Sequence, residues 1–273
     1  MAAFEFLLFD KSADTGVARI TLNRPERLNA LHRPLAVELV QALEDAAGDD
    51  DMRVLVLAGA GRAFCSGADT GAMVGGRERG EHSGDRGSEE LRRGFRMAQR
   101  IILGLQRMEK PTIAMVNGPA VGAGLDLACA CDMRTGSPNA RFMAGYVRLG
   151  LFPGYGGTWL YPRLVGSLGR AAEMIFTGDF VEAEEAYRFG LLNHLVPAEE
   201  LEAFTMDLAR RIAQGPPIAL RLAKQLLYKG LEVDLETAMQ MAAAAETVTL
   251  TSQDHQEGVA ALREKRPARF RGQ

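Results

Sequence analysis

The chain has 273 residues, 47% of them hydrophobic and 25% charged, and a formal net charge of −3. That length holds one large domain, or a domain with a helical appendage, at an ordinary globular composition. The acidic balance argues against a general nucleic-acid binder, and no apolar run reaches the roughly 18 residues of a membrane span.

Residues 4–10 and 17–23 read as neighbouring strands joined by a turn over 12–16. Residues 34–47 carry Leu35, Leu39, Val40 and Leu43 at helical spacing, and Gly48 stops that run. A buried strand is expected over 53–58, followed by a Gly-flanked turn and Ala63-Phe-Cys-Ser-Gly-Ala-Asp69. Residues 71–90, rich in Gly, Arg, Glu and Ser, are expected to form a mobile surface loop. Residues 91–108 read as a helix, with Phe95, Ile102 and Leu105 among its apolar positions. A strand over 112–117 turns through Gly122-Ala123-Gly124 into a helix over 125–130, and a short strand follows near 132–135. From about Leu201 the pattern is helical only. Leu201, Phe204, Leu208 and Ile212 form one stripe; Ile218, Leu222 and Leu226 form another. Both stripes read as core or subunit contact. Further helices are expected over 234–250 and 256–265. The chain therefore divides into a core over 1–200 and a helical region over 201–273.

The three cysteines, Cys65, Cys129 and Cys131, are an odd number. That argues against a disulfide framework, and Cys129-x-Cys131 lacks a second metal-spaced pair, so packing roles and no metal site are expected. The opening Met-Ala-Ala-Phe-Glu-Phe has no basic leader region, so a cytoplasmic location is expected.

Two segments carry chemistry. Each passes from an apolar strand into a glycine-rich turn, where backbone comes close to a ligand. The turn at 122–124 opens a helix, whose first amides point outward with the positive end of the peptide dipoles behind them. An oxygen gaining negative charge fits there, and a second donor from the 66–69 turn can converge on it. Asp126 stands in the first helical turn, in reach of a proton. No Gly-x-Ser-x-Gly elbow surrounds Ser66, which disfavours a serine hydrolase.

At these residues the chain resembles the crotonase superfamily of enoyl-CoA hydratases and isomerases. Phe64 to Asp69 is similar to the family's Phe-x-x-Gly-Ala-Asp segment, and Asn117 to Gly124 to its Asn-Gly-x-x-x-Gly-Gly/Ala-Gly segment. Asn23 to Leu31, Pro153 to Thr158 and Thr177 to Pro197 resemble further family segments in the same order. The resemblance implies an α/β spiral of repeated ββα units. It also implies a C-terminal helical trimerisation region, giving a homotrimer or a dimer of trimers. An acyl-CoA substrate is implied as well, with no nucleic-acid or membrane partner and with CoA arriving as part of the substrate rather than as a cofactor.

By the same resemblance the Ala68 and Ala123 amides form an oxyanion hole for a thioester enolate. Asp126 occupies the place of the hydratases' first catalytic Glu, and Tyr146 that of the second. Some relatives carry an Asp near Gly154, where this chain has none. CoA recognition is assigned to Arg24, Arg27, Leu28, Ala30, Ser66, Ala68, Asp69, Thr70, Gly71 and Gly122. A single-carboxylate double-bond isomerase follows from the missing second Glu, and a thioester binder without turnover is the reading from another class. The 71–95 region is expected to shape the acyl pocket.

Overall fold

Strands with apolar side chains at consecutive positions have no solvent face, so they settle between two layers. The computed structural model, which describes residues 4–69, 71 and 88–273, shows this for β3 (Val54–Gly59) and β4 (Thr112–Val116), which are buried along nearly their whole length. They are central in a six-stranded sheet of order β1-β2-β3-β4-β6-β9, with β1 (Leu7–Ser12), β2 (Val17–Leu22), β6 (Met133–Gly136) and β9 (His194–Leu195). Only β1 and β2 pair antiparallel; the later neighbours are parallel. β1 starts later than the sequence pattern suggests. The Glu5 and Phe6 amides donate instead to the Glu38 carboxylate on α1 (Arg33–Gly48).

A second sheet has the order β5-β7-β8, from Pro119–Val121, Arg141–Met143 and Phe180–Glu182. Cys65 bridges to Ala120 at its edge. Each pass of the chain thus places one strand in the large sheet, one short strand or bridge in the small sheet, and then a helix. The passes are β3, Cys65 and α2 (Ser88–Arg107); β4, β5 and α3 (Ala123–Ala130); β6, β7 and α4 (Gly157–Val165). This is the expected ββα spiral. The strand expected over 112–117 stops short of β5, because Gly118 and Pro119 carry turn chemistry while the partner strand of β5 lies later in the chain. α2 starts at Ser88, inside the stretch expected to be loop. Thr70 and residues 72–87 of that stretch, His82 included, lie outside the described residues.

The large sheet is covered on both faces. Leu55, Leu57, Ala114 and Val116 join α1 and α2 side chains such as Leu39 and Ile101 in one core. Val54, Val56, Ile113 and Met115 pack on the other side against α7 (Leu201–Ala213). α5 (Leu168–Thr177) and α6 (Ala183–Arg188) precede α7 in the chain. The buried stripe of α7 is Leu201, Thr205, Ala209 and Ala213; the expected Phe204, Leu208 and Ile212 are half-buried beside it. Small residues let this helix approach the sheet, and the Thr205 hydroxyl is satisfied by Thr135 Oγ1 and Leu201 O, each at 2.7 Å. The boundary at 200 therefore divides the chain by element type and not by core.

α8 (Pro217–Lys229), α9 (Leu235–Leu250) and α10 (Gln253–Glu264) complete the chain. The buried residue of α8 is Lys224, while Ile218, Leu222 and Leu226 are half-buried. Lys224 Nζ lies 2.8 Å from Asp132 Oδ2 and donates to Lys110 O at 3.1 Å. Tyr228 donates to Asp132 Oδ1 at 2.8 Å, and the Thr112 amide to Oδ2 at 2.7 Å. One carboxylate thus ties α8 to the start of β4. No helix among the described residues is long and apolar enough to cross a membrane. Removing one partner from a buried ion pair costs roughly 3–5 kcal/mol. Lys224→Met is expected to lower the unfolding free energy by about 3 kcal/mol, read as a reduced urea midpoint with an unchanged slope.

Candidate active site

Two turns meet backbone to backbone. Gly67 has φ +93°, and a Cβ there would lie 2.6 Å from Val121 O and 3.5 Å from Ala123 N. A Cβ on Gly124 would lie 2.1 Å from Cys65 O. Only bare backbone allows this approach. Short ladders hold it: Cys65 N to Pro119 O at 3.1 Å, Val121 N to Cys65 O at 2.9 Å, Leu31 N to Gly67 O at 2.7 Å, and Asp69 N to Leu31 O at 2.9 Å. These bonds use the residues on either side of Ala68. Among the described residues, neither the Ala68 nor the Ala123 amide donates a hydrogen bond across these turns.

Gly122 caps α3 at φ 51° and ψ −119°, a conformation open to glycine, and the helix starts at Ala123 rather than at Leu125. Ala123 is not among the described non-glycine residues with positive φ, so its methyl adds no strain while its N–H stays a donor. At the far end of α3 the buried Arg134 guanidinium donates to Ala128 O at 3.4 Å, Cys131 O at 2.8 Å and Leu191 O at 2.6 Å. A cation there complements the negative end of the helix.

Asp126 is fully buried. Tyr146, from the helical turn Gly145–Leu149, donates to Oδ2. Tyr161, from α4, donates to Oδ1 at 2.6 Å. Burial pushes the carboxyl up to about 6, with both phenols pulling the other way. Tyr146 is raised above its ordinary value by burial and by the Asp126 charge, which makes it a donor and not a base at neutral pH. The Tyr155 phenol is raised chiefly by burial. A Cβ on Gly154 would lie 2.9 Å from the Phe95 ring, so Phe95 fills the space of a side chain at that position. Cys65, Cys129 and Cys131 are buried and unpaired, and burial pushes the Cys65 thiol up to about 12.

The sequence reading missed Tyr161 and Asn29. A buried carboxylate implies partners for both oxygens, yet nothing local marks a tyrosine on another element. Asn29 is fully buried, and its Nδ2 donates to Ala60 O and Ala63 O, each at 2.9 Å, and to Phe64 O at 3.2 Å. It sits beside Leu28, and the two have φ of 56° and 51°. Asparagine tolerates that region well; leucine does not.

Seven of the residues assigned to CoA fall into two adjoining strips, 24–31 and 66–69; Gly71 and Gly122 lie beyond them, and Thr70 is outside the described residues. Ser66 N donates to Leu28 O at 2.9 Å, and Ala30 is buried between the strips. Arg27 is exposed. Arg24 is turned inward, donating to Ala30 O at 2.6 Å and to Asp69 Oδ2 at 3.2 Å. Against the cost of burial, that guanidinium holds the Asp69 carboxyl below its ordinary range. The Gly71 amide donates to Asp69 Oδ1 at 3.0 Å, and the Gly122 amide to Met143 O at 2.8 Å.

The family model for enoyl-CoA hydratase/isomerase matches residues 12–273. The chain is 35% identical to a crotonyl-CoA hydratase of Syntrophomonas wolfei over 269 residues, 98% of each chain. It is 34% identical to a 1,2-epoxyphenylacetyl-CoA isomerase of Escherichia coli, covering 98% of this chain and 99% of that one. The crystal structure of an enoyl-CoA hydratase from Bacillus anthracis superposes with a TM-score of 0.89 at 36% identity, over 98% of this chain and 100% of that one. Both its fold and its sequence make the chain a member of the enoyl-CoA hydratase/isomerase family.

Proposed function

We propose that the chain acts on an acyl-CoA thioester whose carbonyl oxygen is received by the Ala68 and Ala123 amides, with Asp126 moving the proton. The observation that carries this is the meeting of the two turns at Gly67 and Ala123, with a buried carboxylate in the first turn of the same helix. Donors fixed in advance stabilise charge as it forms, each worth typically about 3–4 kcal/mol of barrier. Enolate formation and reprotonation move only a proton, so CoA enters with the substrate and the proposed chemistry draws on no separate cofactor. Arg27 and the 28–30 and 66–69 strips are the proposed CoA contacts; Arg24 acts through Asp69.

Hydration asks for one group to activate water and another to handle the proton. Here the second position holds Tyr146, and its phenol is bound to Asp126. That contact favours double-bond isomerisation within the family's range. Ionised Asp126 takes a proton from the α carbon of a 3-enoyl thioester, and the electron pair moves into the carbonyl held by the two amides. The proton returns to the γ carbon, leaving the conjugated 2-enoyl thioester.

Self-association fits the helical region. α9 buries none of its residues, and Leu235 and Met239 are 76% and 64% exposed. A recess of about 340 Å³ between α8, α9 and α10 is lined by Ile218, Leu250, Val259, Leu262 and Phe270. Apolar surface of this kind marks an interface, and a trimer or a dimer of trimers is the proposed assembly. Three unpaired buried thiols support a reducing cytoplasmic setting.

Incubation with 2-enoyl-CoA and with 3-enoyl-CoA tests the reaction. Conversion of the latter to a conjugated product of unchanged mass is expected. A product one water heavier from the former alone would overturn isomerisation, and binding without turnover on either would leave only a thioester binder.

The base must be ionised, so kcat/KM is expected to rise with pH through about 6. Asp126→Asn should lower kcat by about 100-fold or more.

The folded-state carboxyl lies above its ordinary 3.8. Its contribution to stability is therefore full below about pH 4 and lost as pH rises through about 6, a swing of about 3 kcal/mol. Denaturation of the wild type and of Asp126→Asn across that window reads the difference.

Light scattering is expected to give three or six times the chain mass, and Met239→Glu a smaller species.

A further inference from the structure

The two oxygens of Asp126 are held by different elements. A Cβ on Gly122 would lie 3.7 Å from the Tyr146 ring, so Tyr146 lies over the turn that presents the Ala123 amide. Tyr161 is fully buried, and it reaches Oδ1 from the core side at 2.6 Å. Its approach depends on Gly157. A Cβ there would lie 2.7 Å from the Tyr161 ring and 2.9 Å from Asp126 Oδ1.

We propose that Tyr161 is a positioning residue: it pins Oδ1 from the core so that Oδ2 is the oxygen turned toward Tyr146 and the acyl chain. The proposal rests on the reading of Asp126 as the group that moves the proton. A carboxylate whose two oxygens were equally free could present either one. A buried phenol donating to one oxygen removes that choice, and turning away would leave Oδ1 buried without a partner. The hydrogen bond also favours the ionised form, the form a base needs.

The titratable groups facing Asp126 are Tyr146, Tyr161, Tyr155 and, on its own helix, Cys129; Arg134 lies at the far end of α3. α2, β4 and β5 bring the apolar Ile102, Leu105, Val116 and Ala120 to the same cluster.

Tyr161→Phe keeps the ring and removes the donor. Carbon-detected NMR of the Asp126 carboxyl reads the effect without reference to turnover. Its titration midpoint is expected to rise by about one unit. The rising limb of kcat/KM should move with it, with kcat reduced about tenfold and KM little changed. 3-Fluorotyrosine at position 161 retains the shape and is the stronger donor. It should move the midpoint and the limb downward, a sign that damage to packing cannot produce. A midpoint unmoved in both variants overturns the role of Tyr161 alone. A midpoint that moves while the rate profile stays, together with full kcat in Asp126→Asn, overturns the proton role of Asp126 and with it the catalytic consequence claimed for Tyr161.

Discussion

Main chain has to touch main chain before amides from two distant segments can serve one oxygen. Gly67 against Val121 and Gly124 against Cys65 provide that contact, and a methyl group at either glycine would hold the segments apart. Much of the surrounding structure maintains this approach. The Cys65–Ala120 bridge sets the register, and the Leu31 ladder holds the 66–69 strip from its other side. Asn29 fixes the preceding loop through three carbonyls, which offsets the unfavourable backbone at Leu28. Arg134 complements the negative end of α3 remote from the site.

The electrostatics follow from dryness. A second carboxylate beside Asp126 would repel the first and drive one of the pair to stay protonated. Tyrosines hydrogen-bond the charged form without adding charge. Burial and the phenols oppose one another, and the balance leaves the carboxyl near 6, basic enough to accept a proton and ionised at neutral pH. The same arrangement takes away the second acid–base group that a two-carboxylate site would offer, which is why the phenol at position 146 bears on reaction type.

Elements whose cause is local were legible. β3 and β4 announce themselves by unbroken apolar runs, α1 by its 3.6 spacing, and the two turns by their glycines. Asp126 was placed in the first turn of its helix from sequence alone. What escaped depends on partners far along the chain. β5 is a strand only because Arg141–Met143 lies beside it. α7 buries Thr205 and Ala209 in place of Phe204 and Leu208 because the sheet demands close approach. Nothing local marks Lys224 as buried; Asp132 and two carbonyls from distant elements surround it. Nothing near Arg24 in the sequence marks its pairing with Asp69, forty-five residues on.

The pairing of β5 with β7, and of Asp126 with Tyr161, has a consequence for biosynthesis. The nascent chain displays the glycine turns and the carboxylate well before the strand and the helix that complete them have left the ribosome. Through that interval Asp126 remains hydrated and behaves as an ordinary acidic side chain. Its raised pKa requires the closed site, with α4 in place and water excluded. The proposed proton transfer thus waits on tertiary closure, and a truncated chain ending before α4 would carry the recognisable motif without the buried carboxylate held by two phenols.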